Sequence, residues 1–197
     1  MRENSVHIRF KEEPVLLDRV LQDLQKVLMD KLPWLDYAFG RAYRLVDNDK
    51  KIAYPAIYNG NAEYVSVFPN DRFGNFSWFD IYDPQEITPI IPTSPQYTLK
   101  GAIIFWYNLS SIYPDAEVLH TEEVKSEVLK LLTTPGIIKQ SGRIEVTRVY
   151  ERFENIYQGF SVEKDQDVDK QFFMYPYAGL RIEFSITTRE LCQLYRK

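Results

Sequence analysis

Cysteine, histidine and glycine are all scarce in this 197-residue chain, and each scarcity removes a class of function. The single cysteine, Cys192, excludes an intrachain disulfide and fits a reducing compartment. Of the two histidines, His7 lies near the N-terminus and His120 at the mouth of an expected helix. Neither has a partner at metal-ligand spacing such as HxxxH or CxxC, so no metal site is expected. The 8 glycines are scattered singly, without a Walker A loop or a GxGxxG. Phosphate cradles need several backbone amides brought close by glycine, so nucleotide binding has no local support. No GxSxG nucleophile elbow is present. The longest apolar run, GAIIFWY at 101–107, is far too short to span a bilayer. The N-terminal stretch MRENSVHIRFKEEP has no apolar core of the kind a signal peptide carries. Basic runs interleaved with aromatics are missing too, and the net charge of −4 opposes a nucleic-acid field.

Carboxylates do cluster, at Asp80 and Asp83 and along Glu163, Asp165, Asp167 and Asp169. The second group lacks the glycine and terminal glutamate of an EF-hand and reads as a mobile, solvated acidic loop. Asp80 and Asp83 are explained by turn chemistry at Asp83-Pro84 more cheaply than by an acid/base pair. What the chain has in surplus is aromatic rings: 14 Tyr, 12 Phe and 3 Trp. Rings dominate cores and interfaces alike, and Tyr suits a surface that is wet before assembly and buried after it.

At this length one domain spanning 1–197 is expected, burying about 70% of the surface its unfolded chain exposes. Residues 1–12 read as a flexible arm. From Pro14 to Leu32, apolar residues recur at three- and four-residue steps on one helical face, and Pro33 ends the helix. Residues 42–109 read as a run of strands, with a hairpin signal at Asn59-Gly60. Pro55 demotes its strand to a sheet edge. FSWFDIY at 76–82 places Phe76, Trp78, Asp80 and Tyr82 on one face. Four prolines between 83 and 96 make an extended arm or long loop. From Ala102 to Tyr107 both faces of the next strand are apolar. A second helix runs from about Thr121, its expected N-cap, to Leu132, and Pro135-Gly136 stops it. RIEVTRVY follows as a strand whose alternation slips phase near Thr147, the mark of a bulge. RFENIYQGF carries Phe153, Ile156, Tyr157 and Phe160 at helical spacing. The last strand alternates from Leu180, with Leu180, Ile182, Phe184 and Ile186 apolar and Arg181, Glu183, Ser185 and Thr187 polar. Tyr175 and Tyr177, separated by Pro176, cannot both turn into the core. The fold class expected is α+β: a mostly antiparallel sheet with two main helices on one face and a short third helix.

The order of these elements resembles small bacteriophage tail-completion or tail-terminator proteins. The resemblance is carried chiefly by residues 143–190, where RVYERFENIYQGFSV leads into YPYAGLRIEFSITT. The proline-rich arm departs from that compact pattern. The resemblance implies a non-enzymatic structural protein at the tail end or head-tail junction of a phage or prophage, working as a ring. It would be cytoplasmic before assembly and virion-associated afterwards. Its partners would be further copies of itself and neighbouring tail or connector proteins, with no membrane and no sequence-specific nucleic acid. No catalytic residue, cofactor or metal follows from it. Trp78, Tyr82, Trp106, Tyr175, Tyr177, Arg181 and Glu183 are the interface candidates, with the polar face of Arg181, Glu183 and Thr187 turned to solvent or a ring lumen. The alternative is a monomeric adaptor that accepts a peptide through a sheet edge and an aromatic patch.

Overall fold

The computed structural model describes residues 8, 10–60, 62–88, 96–114, 118–138, 142–166 and 168–189. Helix α1 (Leu16–Lys31) is followed by strands β1 (Tyr37–Asp47), β2 (Ile52–Gly60), β3 (Glu63–Ser66), β4 (Phe76–Ile81), β5 (Glu86–Thr88) and β6 (Gln96–Asn108). A single turn, α2 (Leu109–Ile112), and helix α3 (Thr121–Thr133) precede β7 (Arg143–Tyr150). The short α4 (Phe153–Ile156) and two 3-10 turns then lead to β8 (Tyr177–Arg189). The strands form one eight-stranded sheet in the order β3-β2-β1-β4-β6-β8-β7, with β5 paired to β6. Every pairing is antiparallel except β1 with β4. The architecture is α+β.

Helices α1 and α3 share one face of the sheet because both present an apolar stripe at helical spacing. Val20, Leu21, Leu24 and Leu28 from α1 and Val124, Val128 and Leu132 from α3 meet Phe79, Ile103, Phe105, Ile182, Phe184 and Ile186. These strand residues sit at alternate positions, as the two-residue period of a pleated strand requires. The first helix is bounded as its prolines suggest, with Leu32 as its C-cap. The second begins at Thr121, but its N-cap is His120 rather than Thr121 and makes no side-chain cap.

The opposite face is covered as well. Trp78, Ile104 and Trp106 pack under Ile156, Tyr157, Val162, Val168 and Phe172, which come from the segment between β7 and β8. The acidic stretch is therefore not a free loop where it is described. Val162 and Val168 are buried, Ser161 N donates to Ala53 O, and Ala53 N donates to Ser161 Oγ at 3.1 Å. Burying two valines per few residues outweighs the solvation that the flanking carboxylates favour. Asp167 lies outside the described residues.

Other expectations need correction. β2 is not an edge strand. Pro55 lies just beyond the stretch of β2 that pairs with β3, which begins at Ala56, and its carbonyl accepts from Val67 N. In a strand the N and O of one residue point the same way, so the missing N–H faces the side where no ladder bond is required. The hairpin is present, but its turn falls one step later than Asn59-Gly60. Gly60 pairs with Glu63 after a register shift, and Gly60 (φ 91°) and Ala62 (φ 62°) carry the positive φ angles. Lys11, inside the expected N-terminal arm, is tied to α1: its N–H donates to Gln22 Oε1 at 2.9 Å. Residues 1–7 and 9 lie outside the described residues, as do residues 89–95 of the proline-rich connection and Cys192. The described start of that connection contains β5. The phase slip at Thr147 does mark a register break, between Val146 and Arg148.

Candidate assembly surfaces

On the face opposite α1 and α3, the pleat aligns two cross-strand rows. Asp80, Ala102, Glu183 and Arg148 are successive register partners on β4, β6, β8 and β7, and Trp78, Ile104, Arg181 and Tyr150 form the next row. Ala102 leaves room for the side chains on either side of it. Arg181 fills that room and is only 1% exposed. Its Nη1 donates to Ile156 O at 3.1 Å, and its Nη2 donates to Asp80 Oδ2 at 2.8 Å and to Tyr82 Oη at 2.6 Å. Tyr82 passes the polarity on by donating to Glu183 Oε1 at 2.9 Å, which also accepts from Gln158. Burial pushes the Tyr82 hydroxyl up to about 12, against the pull of the adjacent guanidinium. One buried cation thus holds two carboxylates and a phenol. Charged groups this deep persist only when so paired.

This geometry corrects part of the expected interface. Arg181 is not on a solvent or lumen face but under α4, and Glu183 faces inward beside it. Trp78 and Trp106 are also core residues, at 0% and 2% exposed. Rings on a central strand covered on both faces have nowhere to project. Tyr82 is half-buried in the arginine cluster. Tyr177 is half-buried as well, stacked on Trp106 at 6.0 Å, with its hydroxyl donating to Asp71 Oδ1 at 2.5 Å. Tyr175, across a cis bond to Pro176, is exposed. Of the seven candidates it alone presents most of its ring to solvent.

The aromatic surface lies elsewhere, and no single strand of the sequence marks it. Tyr43 of β1, Tyr58 of β2 and Tyr64 of β3 are 42%, 55% and 48% exposed. Tyr58 and Tyr64 are register partners 5.4 Å apart, and Tyr64 meets Tyr43 edge-on at 5.8 Å. The Arg41 guanidinium lies 5.3 Å from the Tyr43 ring centre. This triad occupies the outer end of the sheet, against the β3 edge. At the other end β7 pairs only with β8 along its eight residues, so its outer row of N–H and C=O groups has no strand partner among the described residues.

A third feature lies where β7 stops. β8 pairs with β7 from Arg181 onward but with β6 from Tyr177, so the stretch before Arg181 is open on one side. There a cavity of about 270 Å³ is walled by Trp106, Phe153, Phe173 and Tyr177, with the buried Tyr107 and the more exposed Glu151 also lining it. Burial pushes the Tyr107 hydroxyl well above the ordinary tyrosine range, with Glu151 and Glu122 reinforcing the shift. Among the described residues no group of three or more His, Cys, Asp or Glu is placed to hold a metal ion. None of the described helices is long and apolar enough to cross a membrane. No protein-family model matches the chain, and no curated protein matches it.

Proposed function

We propose that the chain is a non-enzymatic structural protein that assembles head-to-tail into a ring, as at the tail end or head-tail junction of a phage or prophage. The observation that carries this reading is the asymmetry of the sheet. The two ends of its main strand path, which no further described strand covers, are unlike: short β3, backed by the exposed Tyr43–Tyr58–Tyr64 triad, and long β7, whose outer face is mostly polar. Unlike edges at opposite ends of one molecule favour heterologous contacts, which close into rings when the rotation per subunit permits. Tyrosines at a patch centre supply the anchoring energy such contacts need, about 2 kcal/mol or more each. The resemblance of the element order and closing strand to tail-completion proteins points the same way. The net charge of −4 suits a ring that DNA must pass without sticking.

Native mass spectrometry and sedimentation velocity of the full chain test this. The wild-type chain is expected to form one closed oligomer, and Tyr58→Ser with Tyr64→Ser is expected to shift it to monomer while circular dichroism stays unchanged. A wild-type chain that stays strictly monomeric from micromolar to near-millimolar concentration refutes the ring and leaves the adaptor reading.

A further inference from the structure

The aromatic cleft beside β8 has the makings of a receptor for an extended segment. Leu109 N donates to Pro176 O, which makes Leu109 and Pro176 a hydrogen-bonded pair of the β6–β8 ladder. Antiparallel ladders alternate, so Gly179 turns its N–H and C=O away from β6, toward the side that β7 has left at Tyr150. A Cβ at Gly179 would lie 2.9 Å from the Phe105 carbonyl oxygen, 3.1 Å from Ile156 Cδ1 and 3.2 Å from Trp106 Cε3, so only glycine lets Ile156 and Trp106 close over the strand at the cleft floor. Two of the lining residues, Trp106 and Tyr107, are 2% and 1% exposed, and their indole N–H and hydroxyl have no partner among the described residues. Glu151 at the rim is bridged by Lys125, so the cleft carries little net charge. It fits an uncharged, apolar, extended strand.

We propose that this cleft binds the proline-rich arm, residues 89–95, of a second copy of the chain. That arm reads PIIPTSP: it has no charge, two isoleucines and three prolines. Such segments lose little entropy on docking and favour aromatic-walled grooves. The prolines lack N–H groups, but Ile90, Ile91, Thr93 and Ser94 keep theirs, and one residue suffices to pair with Gly179. The arm's own cleft is out of reach. Thr88 and Gln96 are register partners, so the arm leaves from and returns to one point, beside Arg189 at the far end of β8. Gly179 is ten residues from Arg189, about 33 Å along the strand. The loop between Thr88 and Gln96 has eight links, so its tip extends at most about 14 Å. Occupancy must therefore be between molecules, with donor arm and acceptor cleft at opposite ends of each subunit. This rests on the ring reading and supplies it with a second contact.

Two variants and a peptide test it: Ile90→Ser with Ile91→Ser in the arm, Phe173→Ala in the cleft, and a synthetic peptide of residues 88–96. Each variant alone is expected to lose the wild-type oligomer. A mixture of the two should form a 1:1 heterodimer, because one intact arm then meets one intact cleft. The peptide should bind the arm variant saturably, and at least about tenfold more weakly when Phe173→Ala is added. Rescue on mixing cannot come from misfolded chains, which keeps the test sound if one variant is destabilised. An arm variant that assembles like wild type overturns the arm's role and leaves the ring intact. Loss in Phe173→Ala alone, with no peptide binding, assigns the cleft to another segment and also overturns the proposal. If the wild type is monomeric the ring fails, and saturable peptide binding that Phe173→Ala weakens would uphold the cleft's specificity. Absence of binding at millimolar peptide would sink it.

Discussion

Replacing Arg181 with methionine separates the cluster seen in the structure from the exposed polar row that strand alternation suggests. Methionine keeps much of the volume and removes the guanidinium. The Ile156 carbonyl, Asp80 and Tyr82 then lose partners at 3.1, 2.8 and 2.6 Å. Asp80 and Glu183 are left as neighbouring carboxylates with side chains 23% and 14% exposed. Removing one member of a buried ion pair costs about 3–5 kcal/mol, because the survivor stays charged and poorly solvated. Asp80 retains some access to water, which places the expected loss near the lower end, about 3 kcal/mol. For a chain of this size that is a fall in Tm of about 6–12 °C. Urea unfolding at a protein concentration too low for assembly gives the free energy directly. Adding Asp80→Asn to Arg181→Met should restore much of the loss, since the second substitution removes the charge that the first strands. A loss below about 0.5 kcal/mol, the range of ordinary surface substitutions, would refute the buried cluster. Strict additivity in the double variant would refute the pairing with Asp80.

Alkaline pH probes this cluster and, separately, the Tyr177–Asp71 hydrogen bond. Burial lifts Tyr82 to about 12, and the hydrogen bond to Asp71 lifts Tyr177 to about 12, whereas both ionise near 10 when unfolded. The stability they contribute is present in full below pH 10 and is lost as pH rises from 10 to 12. Urea midpoints at pH 9–12 should fall across that window, and Tyr82→Phe should flatten part of the fall; a flat wild-type profile would contradict it. Two glycines provide a paired backbone test. Gly142 has φ +125°, and a Cβ there would lie 2.2 Å from the Thr187 carbonyl, while Gly136 has φ +73° and nothing within 4 Å. Gly136→Ala should cost about 1–2 kcal/mol from backbone strain alone. Gly142→Ala should cost clearly more, because β8 must shift, and equal losses in thermal melts would argue against this approach of β7 to β8.

Which parts of this were legible in the sequence follows from the range of the interactions involved. The leucine stripe of α1 and the bulge at Thr147 were legible because their signals are local. A helical face repeats within four residues, and a bulge shows as one displaced step of alternation. Arg181 was not legible. Its partners Asp80 and Tyr82 lie 101 and 99 residues away, and a polar residue between Leu180 and Ile182 has the same pattern whether water or a buried carboxylate awaits it. The covering layer was equally hidden, since the acidic residues around Val162 and Val168 mask two core positions. For Trp78 and Trp106 the aromatic surplus was real but wrongly placed.

The bare tyrosines follow from a simpler count. A helix with side chains is about 10–12 Å across, and strands are spaced about 4.8 Å apart, so each helix covers roughly two strands. Two long helices over a path of seven strands leave outer strands uncovered on that face. α1 packs on β1 and α3 beside β7, so among the described residues neither long helix lies squarely over β2 and β3, and only the flank of α1 with Ile8 and Lys11 borders Tyr58 and Tyr64. Alternation places Tyr58 and Tyr64 on that face beside Tyr43, where all three rings are exposed. Three rings at such a position are costly to leave in water and inexpensive to bury against a neighbour. The mismatch between sheet width and helix number is therefore the strongest physical reason to look for assembly at this end of the molecule.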